Sequence, residues 1–437
     1  METGTNVSRW AERRHTLQQR MASGIAIVPT APPRIRNRDS DYPYRFDSYF
    51  YYLTGFPEPE AVLVLVSGAQ ARSILFCRQR NPEREIWDGF RHGPEGAKAV
   101  FAMDETYPME ALEELLPKLI ADQPVLHYPV GADAGWDTRI MHYLNQVRGQ
   151  ARAGISAPAE IRDVRALLDE MRLLKDDGEI ATMRRAGAIS AAAHERAMRA
   201  TRPGRSEYEL EAELLYEFRR RGAQFPAYWP IVAGGPNACT LHYRDNSATL
   251  ADGELVLIDA GCELDGYATD LTRTFPVGGK FSGPQRHIYE LVLAAQEAAI
   301  AAVRAGNRWD EPHQAAVTTL ARGLVDLGLC TGTPEKVVET EDYKRFFMHR
   351  TGHWLGLDVH DAGEYRLGGE WRPLQPGMTL TVEPGCYIRP AENVPQHFWN
   401  IGVRIEDDVV VTHSGCEVLT DAAPKSIRDI EALVGRG

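Results

Sequence analysis

The sequence lacks the features that would indicate a membrane protein, a secreted protein or a nucleic-acid-binding protein. No apolar run is long enough for a transmembrane helix, and the N-terminal segment is polar, with no apolar signal core. The six cysteines are far apart and form no CxxC pair. A formal net charge of −12 argues against nucleic acid or an anionic membrane surface as the main partner. These absences predict a cytoplasmic protein with free thiols.

Two domains are expected, because 437 residues exceed what one ordinary hydrophobic core organises. The N-terminal part mixes strand-like and helix-like segments, including a predicted hairpin over residues 61–68 and 71–78. A charged stretch with helical character, residues 159–180, leads into the second part. We therefore predict an α/β N-terminal domain of residues 1–172 and a second domain of residues 173–437.

The second domain contains a weak internal repeat. Each copy has two helices, an aromatic-rich segment that contains histidine, and a strand that begins with glycine. The two strands are "GELVLIDAG" (253–261) and "GMTLTVEPG" (377–385), in which a glycine, an acid and a second glycine recur at the same spacing. The repeat predicts two similar α+β halves that share a centre.

Four acidic residues lie on or beside strands whose other residues suit a buried core. The first copy contributes Asp259 and Asp270, and the second contributes Glu383 and Glu406. Buried carboxylates without partners are costly, and clustered carboxylates repel each other. Few basic residues lie on these strands, and two divalent cations would neutralise four negative charges. The four carboxylates therefore predict a two-metal site.

A nitrogen ligand is available in the segment "FFMHRTGHWLGLDVHD" (346–361), which contains His349, His353 and His360. Oxygen-rich ligation with one nitrogen suits Mn²⁺, Co²⁺ or Fe²⁺ better than structural zinc, and no cysteine lies where a ligand is needed. Taken singly, each residue has an ordinary structural explanation, such as an aspartate that ends a strand or a buried histidine. Their joint order along the chain favours the metal site.

The five positions Asp259, Asp270, His353, Glu383 and Glu406 resemble the metal ligands of the pita-bread metallopeptidases, which include methionine aminopeptidases, prolidases and aminopeptidase P. The segment "HRTGHWLGLDVHDAGEY" resembles the proline-directed branch, and "RNRDSDYPYRFDSYFYYLTGFPEPEAVLVL" resembles the N-terminal domain of aminopeptidase P. The resemblance covers nearly all of the chain. It implies an α+β fold, with a C-terminal pita-bread domain of two pseudo-symmetric halves after an α/β N-terminal domain.

The histidine segment departs from the commonest family form at two positions. Arg350 and Gly352 stand where the family usually has glycine and serine. These departures spare the ligands, but the local substrate contacts that the resemblance implies do not carry over at these two positions.

The resemblance also implies roles for the residues around the ligands. Asp270 and Glu406 would bridge two ions, and Glu383 would be both a ligand and the proton shuttle. Further catalytic positions are implied at His242, His349, His360 and Arg404. Substrate contacts are implied at Tyr387 and Trp87. A packing role is the alternative for Trp87, whose counterpart in aminopeptidase P reaches into the active site of a neighbouring subunit.

The implied activity is that of a metallo-aminopeptidase. It would remove the first residue from peptides that have proline at the second position, with a water or hydroxide between two divalent ions as the nucleophile. Mn²⁺ is the first choice of metal, and Co²⁺, Fe²⁺ or Zn²⁺ are alternatives. A homotetramer, or a dimer, is expected. A prolidase, which cuts only Xaa-Pro dipeptides, stays open, whereas a metal-free binding relative is less favoured because all five ligands are present.

Overall fold

The structure, a computed structural model, describes residues 3–436 and contains two compact units, which meet in sequence between Met171 and Arg172. Both units combine helices and strands, as predicted for this chain. Within the described residues, no helix is both long enough and apolar enough to cross a membrane.

A six-stranded sheet organises the first unit, in the order β6-β5-β4-β1-β7-β8, and β2 and β3 form a separate hairpin. The strands of this unit are β1 Gly24–Pro29, β2 Ile35–Asn37, β3 Ser40–Asp41, β4 Val62–Ser67, β5 Arg72–Cys77, β6 Glu105–Pro108, β7 Val125–Tyr128 and β8 Glu160–Asp163. The predicted hairpin is confirmed, because β4 and β5 pair antiparallel. Their apolar residues are buried on both faces, which suits strands in the middle of a covered sheet.

The first unit also contains helices. Their bounds are α1 Thr3–Met21, α2 Ser48–Thr54, α3 Pro82–Asp88, α4 Gly93–Phe101, α5 Leu112–Ile120, α6 Ala134–Arg148 and α7 Arg165–Leu173. Of these helices, α5 and α6 pack apolar side chains on the sheet. Local sequence sets several helix ends. The side chain of Asp47, for example, accepts the N–H of Phe50 at the start of α2, and Gly55 ends that helix with a left-handed φ of 64°.

The prediction of a helical stretch over residues 159–180 is wrong in part. Residues Glu160–Asp163 form β8, which pairs parallel with β7, so the sheet satisfies their backbone groups. A break at residues 174–176 then separates α7 from α8. Asp176 caps α8 in a reciprocal arrangement with Glu179, which fixes a new helix start at this point.

The second unit contains α8 Asp177–Ala200, α9 Glu207–Arg220, α10 Gly283–Ala302, α11 Glu311–Asp326, α12 Pro334–Glu339 and α13 Ile427–Leu433. Its strands before α10 are β9 Phe225–Pro226, β10 Ile231–Gly234, β11 Leu255–Asp259, β12 Cys262–Leu264, β13 Tyr267–Ala268 and β14 Thr272–Pro276. Its later strands are β15 Arg366–Leu367, β16 Glu370–Trp371, β17 Thr379–Val382, β18 Gly385–Ile388, β19 Ile401–Arg404, β20 Asp407–Val411 and β21 Cys416–Val418.

The internal repeat corresponds to two similar sets of elements in the second unit. The helices α8 and α9 precede the sheet β10-β11-β14, and α10 and α11 precede the sheet β17-β20-β21. Gly253 and Gly377, which introduce β11 and β17, both have a left-handed φ, 80° and 89°. Glycine adopts this conformation without the steric cost that other residues incur, so the two copies use it for the same purpose.

The strands of the first acidic pair, β11 and β14, pair antiparallel, with Asp259 opposite Thr272. Between them the chain adds a small hairpin of β12 and β13, which belongs to a different sheet with β9. Asp265 and Gly266 form its turn with positive φ values of 52° and 85°. The insertion places Asp259 at the end of β11 and Asp270 just before β14.

Hydrogen bonds join the two halves along β14 and β19. The hydroxyl of Thr274 donates to the carbonyl of Arg404 at 3.0 Å, and the N–H of Glu406 donates to the carbonyl of Thr272 at 3.1 Å. The ends of acidic strands from both halves therefore lie at one place in the domain centre.

His127 in β7 is a buried histidine of the first unit. Its side chain is 2% exposed, and neither ring nitrogen has a hydrogen-bond partner within residues 3–436. Burial lowers the pKa of this ring, and repulsion from Arg162 lowers it further. An unfolded histidine takes up a proton near pH 6.5, so the unfolded state binds more protons than the folded state just below that pH. Folding stability therefore falls as the pH drops through this range.

We expect His127→Leu to remove this part of the pH dependence. Between about pH 7.5 and 5.5, the free energy of unfolding of the wild type should fall more steeply than that of the variant, as measured by urea denaturation. Replacing the exposed His142 by glutamine is the matched control and should keep the wild-type slope. Equal slopes for the wild type and His127→Leu would contradict the assignment.

Candidate metal centre

All four predicted carboxylates lie at strand ends in the second unit. Asp259 ends β11, Asp270 precedes β14, Glu383 follows β17, and Glu406 lies between β19 and β20. Asp259, Asp270 and Glu406 are buried, whereas Glu383 is half-buried. Strand ends suit a shared site, because the last side chains of a strand can point into a common centre while the strand itself stays hydrogen-bonded.

His353 joins these carboxylates because its segment runs beside β17. The N–H of Thr381 donates to the carbonyl of His353 at 3.0 Å, and the N–H of Glu383 donates to the carbonyl of Thr351 at 2.8 Å. Between these two bonds, a Cβ atom on Gly352 would lie 2.1 Å from the carbonyl oxygen of Thr381. The glycine at this position, which departs from the family's serine, is therefore required by close approach of the two backbones in this chain.

The ring of His353 is oriented toward the carboxylates. Its Nδ1 lies 2.9 Å from the carbonyl oxygen of Trp354, so this nitrogen carries a proton and donates. Its Nε2 lies 3.4 Å from Asp270 Oδ2 and 3.8 Å from Glu383 Oε1. Ligand atoms of Asp270, His353 and Glu406 all lie within 4.8 Å of one another, which is a spacing that one metal ion can span.

Burial and the crowding of negative charge shift the pKa values of the residues in the centre. Burial, together with repulsion from neighbouring carboxylates, raises the pKa of Glu383 to about 7 and that of Glu406 well above its usual range. Burial also raises the pKa of Asp259. Burial would raise the pKa of Asp270 too, but the hydrogen bond and charge of His353, together with Tyr228 and Arg404, outweigh burial and lower it. For His353, burial alone would lower the pKa, but Asp270 and Glu383 raise it to about 9. Without cations, the centre is therefore stabilised by protons.

These residues fit a site for divalent cations. The donor set is four carboxylates and one imidazole, with no thiolate, which suits hard or borderline ions such as Mn²⁺, Co²⁺ and Fe²⁺. The excess of buried negative charge gives the binding of cations a direct electrostatic reason.

Tyr228 is a centre residue that sequence reasoning missed. Its hydroxyl lies 2.5 Å from Asp259 Oδ1 and 2.6 Å from Asp270 Oδ1, so it links the two aspartates. It lies between β9 and β10, in a segment that the sequence marks only as rich in aromatics. No local pattern distinguishes this tyrosine from its neighbour Trp229.

Arg404 connects the carboxylates to a second layer of predicted residues. Its Nη2 donates to Asp259 Oδ2 at 2.5 Å, and its Nη1 donates to the hydroxyl of Tyr387 at 2.9 Å. The Tyr387 hydroxyl in turn lies 2.9 Å from Nε2 of His349. Burial, with a smaller contribution from the charge of Arg404, lowers the pKa of His349 to about 3, so this imidazole is neutral. The structure thus brings Arg404, Tyr387 and His349 together.

The other predicted residues differ in their surroundings. The ring centroid of His360 lies 4.1 Å from that of His353, and the His360 side chain is exposed. His242, also exposed, is close enough for its charge to lower the pKa of both His349 and His360. Trp87 lies in the first unit on α3, where it is 83% exposed.

A buried ionic cluster anchors the loop that ends at His360, and it too was missed from the sequence. The carboxylate of Asp361 accepts hydrogen bonds from Arg172 at 2.6 Å and from Lys175 at 2.9 Å, and all three side chains are 1% exposed. Arg172 also contacts Asp358, whose side chain is 45% exposed. Burial opposes ionisation of Asp361, but Lys175 and Arg172 outweigh it and lower its pKa.

Two protein-family models match the chain. The model of metallopeptidase family M24 matches residues 181–413, which is more than half of the sequence, and the model of the aminopeptidase P N-terminal domain matches residues 10–127. The chain belongs to metallopeptidase family M24. Family membership implies that it binds divalent metal, and the buried group of Asp270, His353 and Glu406 is able to do so.

Relatives are similar over nearly the full length of the chain. It is 47% identical to an Xaa-Pro aminopeptidase of Haemophilus influenzae, covering 91% of this chain and 90% of the relative. Identity to the Escherichia coli Xaa-Pro aminopeptidase is 44%, covering 97% and 96%. Among solved structures, aminopeptidase PepP of Pseudomonas aeruginosa matches with a TM-score of 0.96 and 52% identity, covering 98% of this chain and 97% of the other.

These comparisons confirm the resemblance to aminopeptidase P, the pita-bread fold with its N-terminal domain, and the prediction that the chain is a metallo-aminopeptidase. The roles of individual site residues, the number of ions and their identity stay predictions.

Metal binding at this centre should release protons. In the metal-free protein, the pKa of about 9 keeps His353 protonated at neutral pH, and a metal ion can bind its Nε2 only after that proton leaves. Mn²⁺ affinity should therefore rise between about pH 6.5 and 8.5, with protons released to the solvent. Calorimetric titration in buffers of different ionisation enthalpy measures this release. His287→Ala, an exposed position on α10, should leave it unchanged, and pH-independent Mn²⁺ binding would contradict the assignment.

The ionic cluster around Asp361 should contribute strongly to stability. Asp361→Asn leaves the buried Lys175 without its carboxylate and Arg172 with Asp358 in place of two carboxylates, so the free energy of unfolding should fall by roughly 3–5 kcal/mol. The same change at the more exposed Asp358 should cost less than about 1 kcal/mol. Chemical denaturation of both variants tests this difference, and similar losses at the two positions would contradict it.

Proposed function

We propose that the protein is a dinuclear-metal Xaa-Pro aminopeptidase, which hydrolyses the bond between the first residue of a peptide and a proline at the second position. The observation that supports this most directly is that Asp270, Glu383 and Glu406, from both halves, surround the imidazole of His353. Asp259 is linked to Asp270 through the hydroxyl of Tyr228. The names of the Haemophilus influenzae and Escherichia coli relatives support the same activity.

In this proposal, Asp259, Asp270, His353, Glu383 and Glu406 would hold two divalent ions, with Mn²⁺ as the first choice. Bound there, the ions would supply an acidified water or hydroxide, which is the proposed nucleophile, and would polarise the scissile carbonyl.

Glu383 is the proposed proton shuttle. It is the one carboxylate of the four that is half-buried rather than buried, and 17% of its side chain is exposed. Its Oε2 lies 3.7 Å from Nδ1 of His349. A carboxylate in this position can accept a proton from the nucleophile and return it to the leaving amine.

The histidines are proposed to bind the substrate carbonyl and the tetrahedral intermediate. His242 and His360 have exposed rings whose N–H groups can donate to a ligand, and the neutral His349 is fixed by Tyr387. Arg404 holds both Asp259 and Tyr387, so its proposed role is to keep the carboxylate ionised and the tyrosine oriented.

Selectivity for proline has a chemical basis. An Xaa-Pro bond offers no N–H, so a site must recognise the pyrrolidine ring by shape. Tyr387 and the exposed Trp229, which follows the aspartate-linked Tyr228, are proposed walls for this ring. Trp87 is proposed to act on a neighbouring subunit of a homotetramer or dimer, and its exposure is compatible with such a contact.

The expected domains, residues 1–172 and 173–437, and the cytoplasmic location also stay proposals. The six cysteines carry no disulfide, which agrees with a reducing compartment.

Peptides of different length test the function. With Mn²⁺, purified protein should release alanine from Ala-Pro-Ala and longer Ala-Pro peptides, as measured by mass spectrometry. Glu383→Gln keeps the side-chain shape but cannot carry the proton, so it should lower kcat at least about 100-fold. Arg304→Gln, on the surface, is the matched control. Cleavage of the dipeptide Ala-Pro alone would favour a prolidase, and no cleavage with any divalent ion would overturn the proposal.

A further inference from the structure

A cavity beside the centre combines apolar walls with unpaired positive charge. It has a volume of about 290 Å³, and residues lining it include Leu241, Phe346, Met348, Tyr387, Arg345 and Arg389. No acidic side chain lines it among the described residues, although the chain as a whole has a net charge of −12.

The cavity adjoins the proposed substrate-binding histidines. Leu241 directly precedes His242, and Met348 directly precedes His349. Tyr387 forms part of its wall, and the hydroxyl of this tyrosine lies 2.9 Å from Nε2 of His349. A peptide bound by these histidines would therefore have one of its side chains or its C-terminus next to this cavity.

Both arginines hold their charge without a carboxylate partner. Arg389 donates to the carbonyl oxygen of Cys239 at 2.6 and 3.2 Å, which fixes its guanidinium, and Arg345 lies over the ring of Phe346 at 5.1 Å. Neither arginine forms a salt bridge within residues 3–436, whereas arginines in the larger cavity between α8 and α9 pair with glutamates. The glutamate-paired arginines there include Arg196, Arg205 and Arg221.

We propose that this cavity binds a carboxylate of the peptide substrate, so that the enzyme prefers Xaa-Pro peptides with an acidic group near the scissile bond. Apolar walls suit the methylene groups of an acidic side chain, and two guanidinium groups suit its carboxylate. The inference rests on the proposed function. The carboxylate could belong to the first residue, to the third residue or to the C-terminus of a short peptide.

Matched peptides distinguish these three sources. Glu-Pro-Ala-amide is compared with Gln-Pro-Ala-amide for the first residue, and Ala-Pro-Glu-amide with Ala-Pro-Gln-amide for the third. Free Ala-Pro-Ala is compared with its amide for the C-terminus. In at least one pair, kcat/KM should be about fivefold higher or more for the charged peptide, and this ratio should shrink as salt is added.

The variants Arg345→Gln and Arg389→Gln remove the positive charges. Together they should bring the ratio close to one while the uncharged peptides are still cleaved. Arg304→Gln is the matched control, because Arg304 is also exposed and also donates to a backbone carbonyl, that of Ala301. It should keep the wild-type ratio.

Two outcomes would overturn the proposal while leaving the proposed function intact: ratios near one in all three pairs, or a ratio that survives in the double arginine variant. Calorimetric binding of the same peptides provides a test that does not depend on turnover. If no peptide is cleaved, the proposed function fails, and the cavity is judged by whether the charged peptide binds more tightly than its neutral match only when both arginines are present. Equal binding would overturn it.

Discussion

Repulsion among buried carboxylates is the constraint on which the centre of this protein depends. Asp259, Asp270 and Glu406 are buried in one place with Glu383 beside them. Within residues 3–436, the cationic contacts to these carboxylates come from Arg404 and, when it is protonated, from His353. Water cannot solvate these charges fully, so the centre must take up either protons or cations. Burial and the neighbouring carboxylates raise the pKa of Glu383 and of Glu406, which favours uptake of protons when no cation is bound. In the proposed function, metal binding would therefore exchange protons for divalent cations.

The surrounding strands keep the four carboxylates close together despite their mutual repulsion. Each half supplies acids at the ends of strands that are hydrogen-bonded elsewhere along their length, and the bonds between β14 and β19 join the halves. Arg273, which lies on β14, does not neutralise the centre. Arg273 is fully buried and forms a salt bridge with Asp407 at 2.7 Å. This salt bridge stabilises the start of β20. Arg404 therefore contacts a carboxylate of the centre, whereas Arg273 stabilises the strand that follows Glu406.

The loop between Gly352 and Asp361 is held in a defined position at both of its ends. Close backbone contact at Gly352 sets His353 against β17, and the ion cluster around Asp361 anchors the far end of the loop in a dry environment. His360 lies between these anchors with its ring exposed. A side chain of this kind is fixed through its backbone and remains free to reach a ligand, which suits the role proposed for it.

The sequence by itself determined the chemistry of the centre and the family. The order of acids and histidine and the repeated strands led to the pita-bread fold and metallo-aminopeptidase class, because those signals lie within short segments. Tertiary structure decided which residues meet across the chain. Tyr228 links two aspartates that follow it by 31 and 42 residues. Arg172 and Lys175 contact Asp361 across separations of 189 and 186 residues. Residues 160–163 form a strand because they pair with β7, although their charged pattern predicted a helix. Local patterns report which side chains are available, whereas the partner of a tyrosine, an arginine or a strand edge is set by packing between distant segments.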